Sequence, residues 1–111
     1  MSAAGDEPIE QILDFLRSEA RTGNVRVTQH ANQEMVAEAI LLDDVLDVLA
    51  AGEVLENYPH HRRGPCALLN GRTRSGRPLH VVCTTTGSAP IIITAYEPLP
   101  PKWTSPRQRR I

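Results

Sequence analysis

Apolar and polar positions change their period along this 111-residue chain. Ile9, Ile12, Leu13 and Leu16 recur at i, i+3, i+4 and i+7, the stripe of an amphipathic helix. Asp6-Glu7-Pro8 starts it, with acids at the positive end of the helix dipole and proline in the first turn, and Gly23-Asn24 ends it. Val25-Arg26-Val27-Thr28 then alternates, which predicts a short strand suited to a sheet edge. Helical spacing returns after Thr28 or Gln29, over His30 to Ala39. Ala31, Met35 and Ala39 share one face, and His30, Glu34 and Glu38 line up along another. Ile40-Leu41-Leu42 makes a bend. Asp43 or Asp44 is the expected cap of a third helix that buries Val45, Leu46, Val48 and Leu49, and Gly52 is expected to end it in the left-handed conformation.

Beyond Gly52 the period is two. Glu53–Tyr58 reads as a strand closed by Pro59. The segment from Gly64 to Tyr96 reads as three more, punctuated at Ser75-Gly76 and Thr86-Gly87-Ser88. A two-residue turn at Ser75-Gly76 puts His80 on one face with Val82, Ala67 and Leu69, and Arg77, Leu79, Val81 and Cys83 on the other. The order α-β-α-α-β-β-β-β predicts an α+β fold, with N-terminal helices packed on one face of a mostly antiparallel sheet of four to five strands. The opposite face stays partly open and is the natural place for a ligand. Residues 1–111 are expected to form one domain: an N-terminal helix over 1–24, a core over 25–98 and a basic tail over 99–111.

Charge changes this picture. The net value is −1, yet residues 1–56 hold three arginines against twelve acids, while residues 57–111 hold nine Lys or Arg against one acid, Glu97. Either the halves neutralise each other in the fold, or the basic half meets an anionic partner. No apolar run is long enough to cross a bilayer and no secretory leader is visible, so the expected location is cytoplasmic, without a membrane partner. Cys66 and Cys83 match no zinc spacing and read as two buried thiols in neighbouring strands.

Thr28-Gln29-His30-Ala31, Met35, Gly52-Glu53-Val54, Tyr58-Pro59, Gly64-Pro65, Gly76-Arg77-Pro78-Leu79-His80-Val81-Val82, Thr94-Ala95-Tyr96-Glu97-Pro98 and Trp103 together resemble the signature of a small prokaryotic domain-of-unknown-function family. That family resembles the RelE and barnase-like toxin nucleases. The resemblance covers about residues 25–110. It implies a RelE/barnase-like fold and a metal-independent endoribonuclease of a toxin–antitoxin system, acting on RNA such as ribosome-associated mRNA. It also implies a zinc-finger antitoxin as protein partner, and no cofactor. A non-catalytic module that holds such a partner is the alternative. A common form of the family has arginine at the positions of Glu34 and Glu38, and Arg-Gly where this chain has Glu38-Ala39.

Metal-free RNA cleavage needs a base for the 2′-OH, a cation for the phosphate oxygens and an acid for the leaving oxygen. The candidate catalytic residues are His30, His80, Arg77 and Tyr96, with Glu34 orienting His30. Arg62, Arg63, Arg72, Arg74, Lys102, Arg107, Arg109 and Arg110 are the candidate RNA-binding residues. For His80 the alternative is a core histidine bonded to a backbone carbonyl, and pleat alternation sets it apart from Arg77 unless a bulge intervenes. Trp103 reads as an anchor packing the tail on the domain, with base stacking as the alternative. A site, if present, is expected between the strands and the His30 helix.

Overall fold

The computed structural model describes residues 7–62, 64–100 and 103–109. Helices α1 (Glu7–Thr22), α2 (Gln29–Ala37) and α3 (Leu42–Ala51) cover one face of a five-stranded sheet. Its strands are β1 (Arg26–Val27), β2 (Glu53–Tyr58), β3 (Cys66–Arg72), β4 (Pro78–Thr84) and β5 (Ile91–Tyr96), in the order β1-β5-β4-β3-β2. β2 to β5 form an antiparallel meander, and β1 adds to β5 in parallel. This is an α+β fold, as expected, with one element the pattern did not announce. The tail forms a hairpin of β6 (Trp103–Ser105) and β7 (Gln108–Arg109), and it lies on the face opposite the helices.

The core forms where the apolar stripes of the helices meet the sheet. Ile12, Leu16 and Ala20 of α1 and Val45, Val48 and Leu49 of α3 pack with Ala67, Leu69, Leu79, Val81 and Cys83. Ala31 and Met35 of α2 and Ile92 and Ala95 of β5 complete it. Each large aliphatic side chain removed from water there contributes about 1.5–3 kcal/mol.

Register departs from the sequence reading. Asn70 lies opposite His80 and Arg72 opposite Pro78, so the β3–β4 connection runs over residues 73–77 rather than two. The pairing is displaced by one residue, which turns every β3 side chain over. His80 therefore shares its face with Cys66, Leu68 and Asn70, and Ala67 and Leu69 face the helices. The turn is held from within: Thr73 Oγ1 accepts from Arg77 N–H, and Arg72 donates to the Gly76 carbonyl at 2.8 Å.

Helix ends also differ in detail. Neither Asp43 nor Asp44 is the N-cap of α3; Leu41 is, and the Asp44 carboxylate reaches back to accept from the Leu41 N–H at 2.9 Å. α2 ends as a Schellman motif, with Ile40 N–H bonded to Met35 O and Ala39 N–H to Val36 O. The left-handed residue there is Ala39, at φ 56. Gly52 is not left-handed, having φ −76 and ψ 175. Glycine is needed there for space: a Cβ would stand 2.5 Å from the Val48 carbonyl oxygen and 2.9 Å from that of Asn70.

These two positions predict substitutions of opposite sign. Gly52→Ala sets a methyl against two backbone oxygens and is expected to cost about 2–3 kcal/mol. Ala39→Gly removes a left-handed Cβ and is expected to stabilise by about 0.5–1 kcal/mol. Urea denaturation of both variants checks the signs.

Candidate functional site

β1 is only two residues long, so it leaves the far part of β5 without a strand partner on that side. α2 lies along this edge and supplies side chains in place of a strand. The Thr28 hydroxyl donates to the Ile93 carbonyl at 3.2 Å and accepts from Ala31 N–H as the helix N-cap. The Glu34 carboxylate accepts from Ala95 N–H at 3.1 Å and from the Thr94 hydroxyl. The Glu38 carboxylate accepts from Glu97 N–H at 3.0 Å. Backbone donors call for acceptors, and at these two positions carboxylates provide them.

Arg77 belongs to the same construction. Its Nη2 donates to the Glu38 carbonyl at 2.7 Å, its Nη1 to the Ala39 carbonyl at 3.2 Å, and its Nε to Glu97 Oε1 at 2.8 Å. It closes the last turn of α2, where a cation meets unpaired carbonyls and the negative end of the dipole. The pleat carries it to the helix side, away from His80.

His80 sits at the centre of the opposite face, fully buried. Its Nε2 lies 2.5 Å from the Pro106 carbonyl of the hairpin, and a carbonyl only accepts, so Nε2 carries the proton. Nδ1 is then free to accept from the Tyr96 hydroxyl at 3.2 Å. The Trp103 ring stands edge-on to the imidazole, with centroids 4.3 Å apart. Burial pushes the His80 pKa down and keeps the ring neutral, although the Pro106 carbonyl and Glu56 favour its charged form. With both nitrogens occupied, His80 organises the face from below and reaches a ligand only through Tyr96.

The hairpin is fixed to β2 by charge. Arg107 makes a bidentate pair with Glu53, at 2.7 and 3.0 Å, and Arg109 bonds both oxygens of Glu56, at 2.9 and 3.1 Å. The Arg109 guanidinium also lies 4.5 Å from the centre of the Trp103 ring. The Asn70 amide holds Glu53 below the usual carboxylate range, burial opposes it, and Arg107 adds to the lowering. For Glu56, burial pushes up, but bonds from the Tyr58 hydroxyl and Arg109 outweigh it. Trp103 is buried, with its indole N–H toward the Tyr96 hydroxyl.

Between the hairpin and α2 a groove of about 520 Å³ remains open. Leu68, Val82, Ile93 and Thr94 form its floor, and His30, Glu34, Tyr58, Tyr96, Glu56 and Arg109 its rim. His30 is exposed at the start of α2, its Nε2 3.5 Å from Glu34 Oε1. Burial raises the Tyr96 pKa, so its hydroxyl stays protonated. Of the candidate catalytic set, the structure brings His30, Glu34 and Tyr96 to one groove, seats His80 behind Tyr96, and sends Arg77 elsewhere.

Glu56 and Tyr58 were missed by the sequence reading. A bulge at Leu55 puts Glu53, Glu56 and Tyr58 on one face, where simple alternation separates Glu53 from the other two. The basic candidates do not form one patch. Arg62 lies at the β2–β3 connection, while Arg72 and Arg74 lie at the other end of β3, about 20 Å away for a seven-residue strand. Arg74 pairs with Asp47 at 3.2 Å. Arg63, Lys102 and Arg110 lie outside the described residues. Among the described residues no group of three His, Cys, Asp or Glu could hold a metal ion, and no helix is long and apolar enough to cross a membrane.

Residues 27–97 match the family model of a domain of unknown function, DUF4258. The chain belongs to this family. Neither a curated protein nor a solved structure matches it significantly. The matched stretch runs from β1 through Glu97, so the family core takes in the helix-paired β5 edge, Arg77, His80 and Tyr96. α1 and the β6–β7 hairpin, Trp103 included, lie outside it.

Two measurements test this assignment of roles. Arg77→Ala leaves Glu97 and two carbonyls without their charged donor, and is expected to cost about 2 kcal/mol in urea denaturation. Acidification tests His80. Its folded pKa lies below the unfolded 6.5, so the unfolded chain binds the proton better; stability is full above pH 6.5 and falls as pH drops through that value. Glu53 and Glu56, lowered from 4.5, add a second loss below that pH. In thermal melts across pH, His80→Gln is expected to flatten the upper step and keep the lower one.

Proposed function

We propose that this chain is a metal-independent endoribonuclease of the RelE-like toxin type, working in the groove between α2 and the hairpin. The observation that carries this reading is the His30–Glu34 pair, 3.5 Å apart, on the same groove as Tyr96. Each required role has an occupant there. His30 takes the 2′-OH proton, with Glu34 orienting its ring. Tyr96, whose hydroxyl stays protonated, turns its one O–H from His80 Nδ1 toward the departing or non-bridging oxygen, and Arg109 meets the phosphate charge. Glu34 also serves β5, so its place is fixed by the sheet and His30 inherits that position.

A second reading is a non-catalytic module that holds a protein partner, such as a zinc-finger antitoxin. It is favoured by the pairing of Arg107 with Glu53 and Arg109 with Glu56, which spends the tail's positive charge inside the chain.

Single-stranded RNA incubated with the protein in EDTA at low salt separates the two. The ribonuclease reading expects products ending in 2′,3′-cyclic phosphate, a rate loss of about 10²–10³-fold in His30→Ala, and a smaller loss in Tyr96→Phe. Full activity in both variants overturns the site. Absence of both RNA binding and cleavage, with a co-purifying small protein, supports the module.

A further inference from the structure

We infer that the β6–β7 hairpin is a releasable strap over the His80 face, and that a polyanion lifts it by taking Arg107 and Arg109 from Glu53 and Glu56. The hairpin forms a two-stranded sheet of its own, separate from the five-stranded one. Its attachments run through side chains: the two Arg–Glu pairs, the His80 Nε2–H bond to Pro106 and the Trp103 ring against His80. The arginine side chains are 71% and 42% exposed, so salt and anions reach the pairs that hold the strap. Strands of three and two residues are too short to stand without such support.

What the strap covers gives its release a purpose. It stands between two concavities: the groove that carries Tyr96 and Arg109, and a second of about 530 Å³ lined by Glu53, Asn70, Arg72, Ser105 and Arg107. Lifting it joins them into one face. It exposes His80, frees Nε2 from the Pro106 carbonyl and leaves the Tyr96 hydroxyl backed by an accessible imidazole. The hairpin also lies outside the stretch that matches the family, so the sheet beneath is complete without it. The release stands on this geometry alone; that RNA is the anion which lifts the strap and then meets His80 rests on the ribonuclease reading.

Trp103 is the sole tryptophan of the chain and reports on the strap directly. Its emission and acrylamide quenching are followed in the full-length protein as poly(U) RNA is added at low salt, with far-UV circular dichroism on the same samples. Release is expected to shift emission to the red and raise the quenching constant several-fold while the dichroism holds. Carbethoxylation of His80, mapped by mass spectrometry, is expected to rise in parallel. Arg107→Gln is expected to show the released emission without RNA; Glu53→Gln breaks the same pair from the sheet side and serves if the first variant misfolds. Trp103 staying blue and protected until the dichroism collapses, in the wild type and in a folded variant, overturns the strap. Release without RNA cleavage sustains the strap and removes the ribonuclease reading, whereas cleavage with Trp103 still protected does the reverse.

Discussion

The structure depends on how the far edge of β5 is satisfied. A central strand needs partners on both sides, and β1 reaches only its first residues. Over the rest, α2 stands in for the missing strand, with Thr28, Glu34 and Glu38 bonding the main chain at Ile93, Ala95 and Glu97. Arg77 locks the end of that helix to Glu97. This one contact system fixes the height of α2 above the sheet and thereby the position of His30. It also explains the acids at positions 34 and 38: a guanidinium there has no acceptor to offer the β5 N–H groups. The groove owes Glu34 on its rim to a demand of the backbone.

Much of the fold was legible because it is written in period. The helical stripes and the alternation of Glu53–Tyr58 led to elements that the structure contains, and Gly23 ends α1 in the left-handed conformation. What the pattern could not carry was register. The choice between a two-residue and a five-residue connection at 73–77 moves β3 by one residue, and Leu68 and Leu69 are apolar on either face. Nothing in the hydrophobic pattern distinguishes the two pairings; Thr73 and Arg77, which brace the longer turn, decide it. Gly52 was placed correctly as a helix end but for the wrong reason, since the constraint is the crossing of α3 over β3, a tertiary contact.

The site was legible in part. Pleat alternation alone separates Arg77 from His80, and that separation stands. His30 and Glu34 could be paired from their spacing on a helix, yet the spacing says nothing of the Ala95 N–H that Glu34 also serves. The hairpin escaped notice because a seven-residue stretch after prolines, with a proline inside it, has no period to read. Its arginines read as free charge, and the bulge that turns Glu53 and Glu56 toward them leaves no mark in sequence. Of the two ways to resolve the charge asymmetry, neutralisation between the halves accounts for Arg74, Arg107 and Arg109.

The strand order has a consequence for the nascent chain. β1 lies in the N-terminal part, yet its partner β5 begins at Ile91, and the apolar sides of α1 and α3 rest on strands that follow them. During synthesis, which runs from the N-terminus, residues 7–51 are therefore made before the sheet that completes the cover over Val45 and Leu49. The first 56 residues carry nine more acids than arginines, and this excess keeps the waiting segment apart from its copies by repulsion. The same acids later receive Arg74, Arg107 and Arg109 from the second half. The lopsided charge thus serves first as a solubilising tag on an unfinished chain and then as the fastening that completes it.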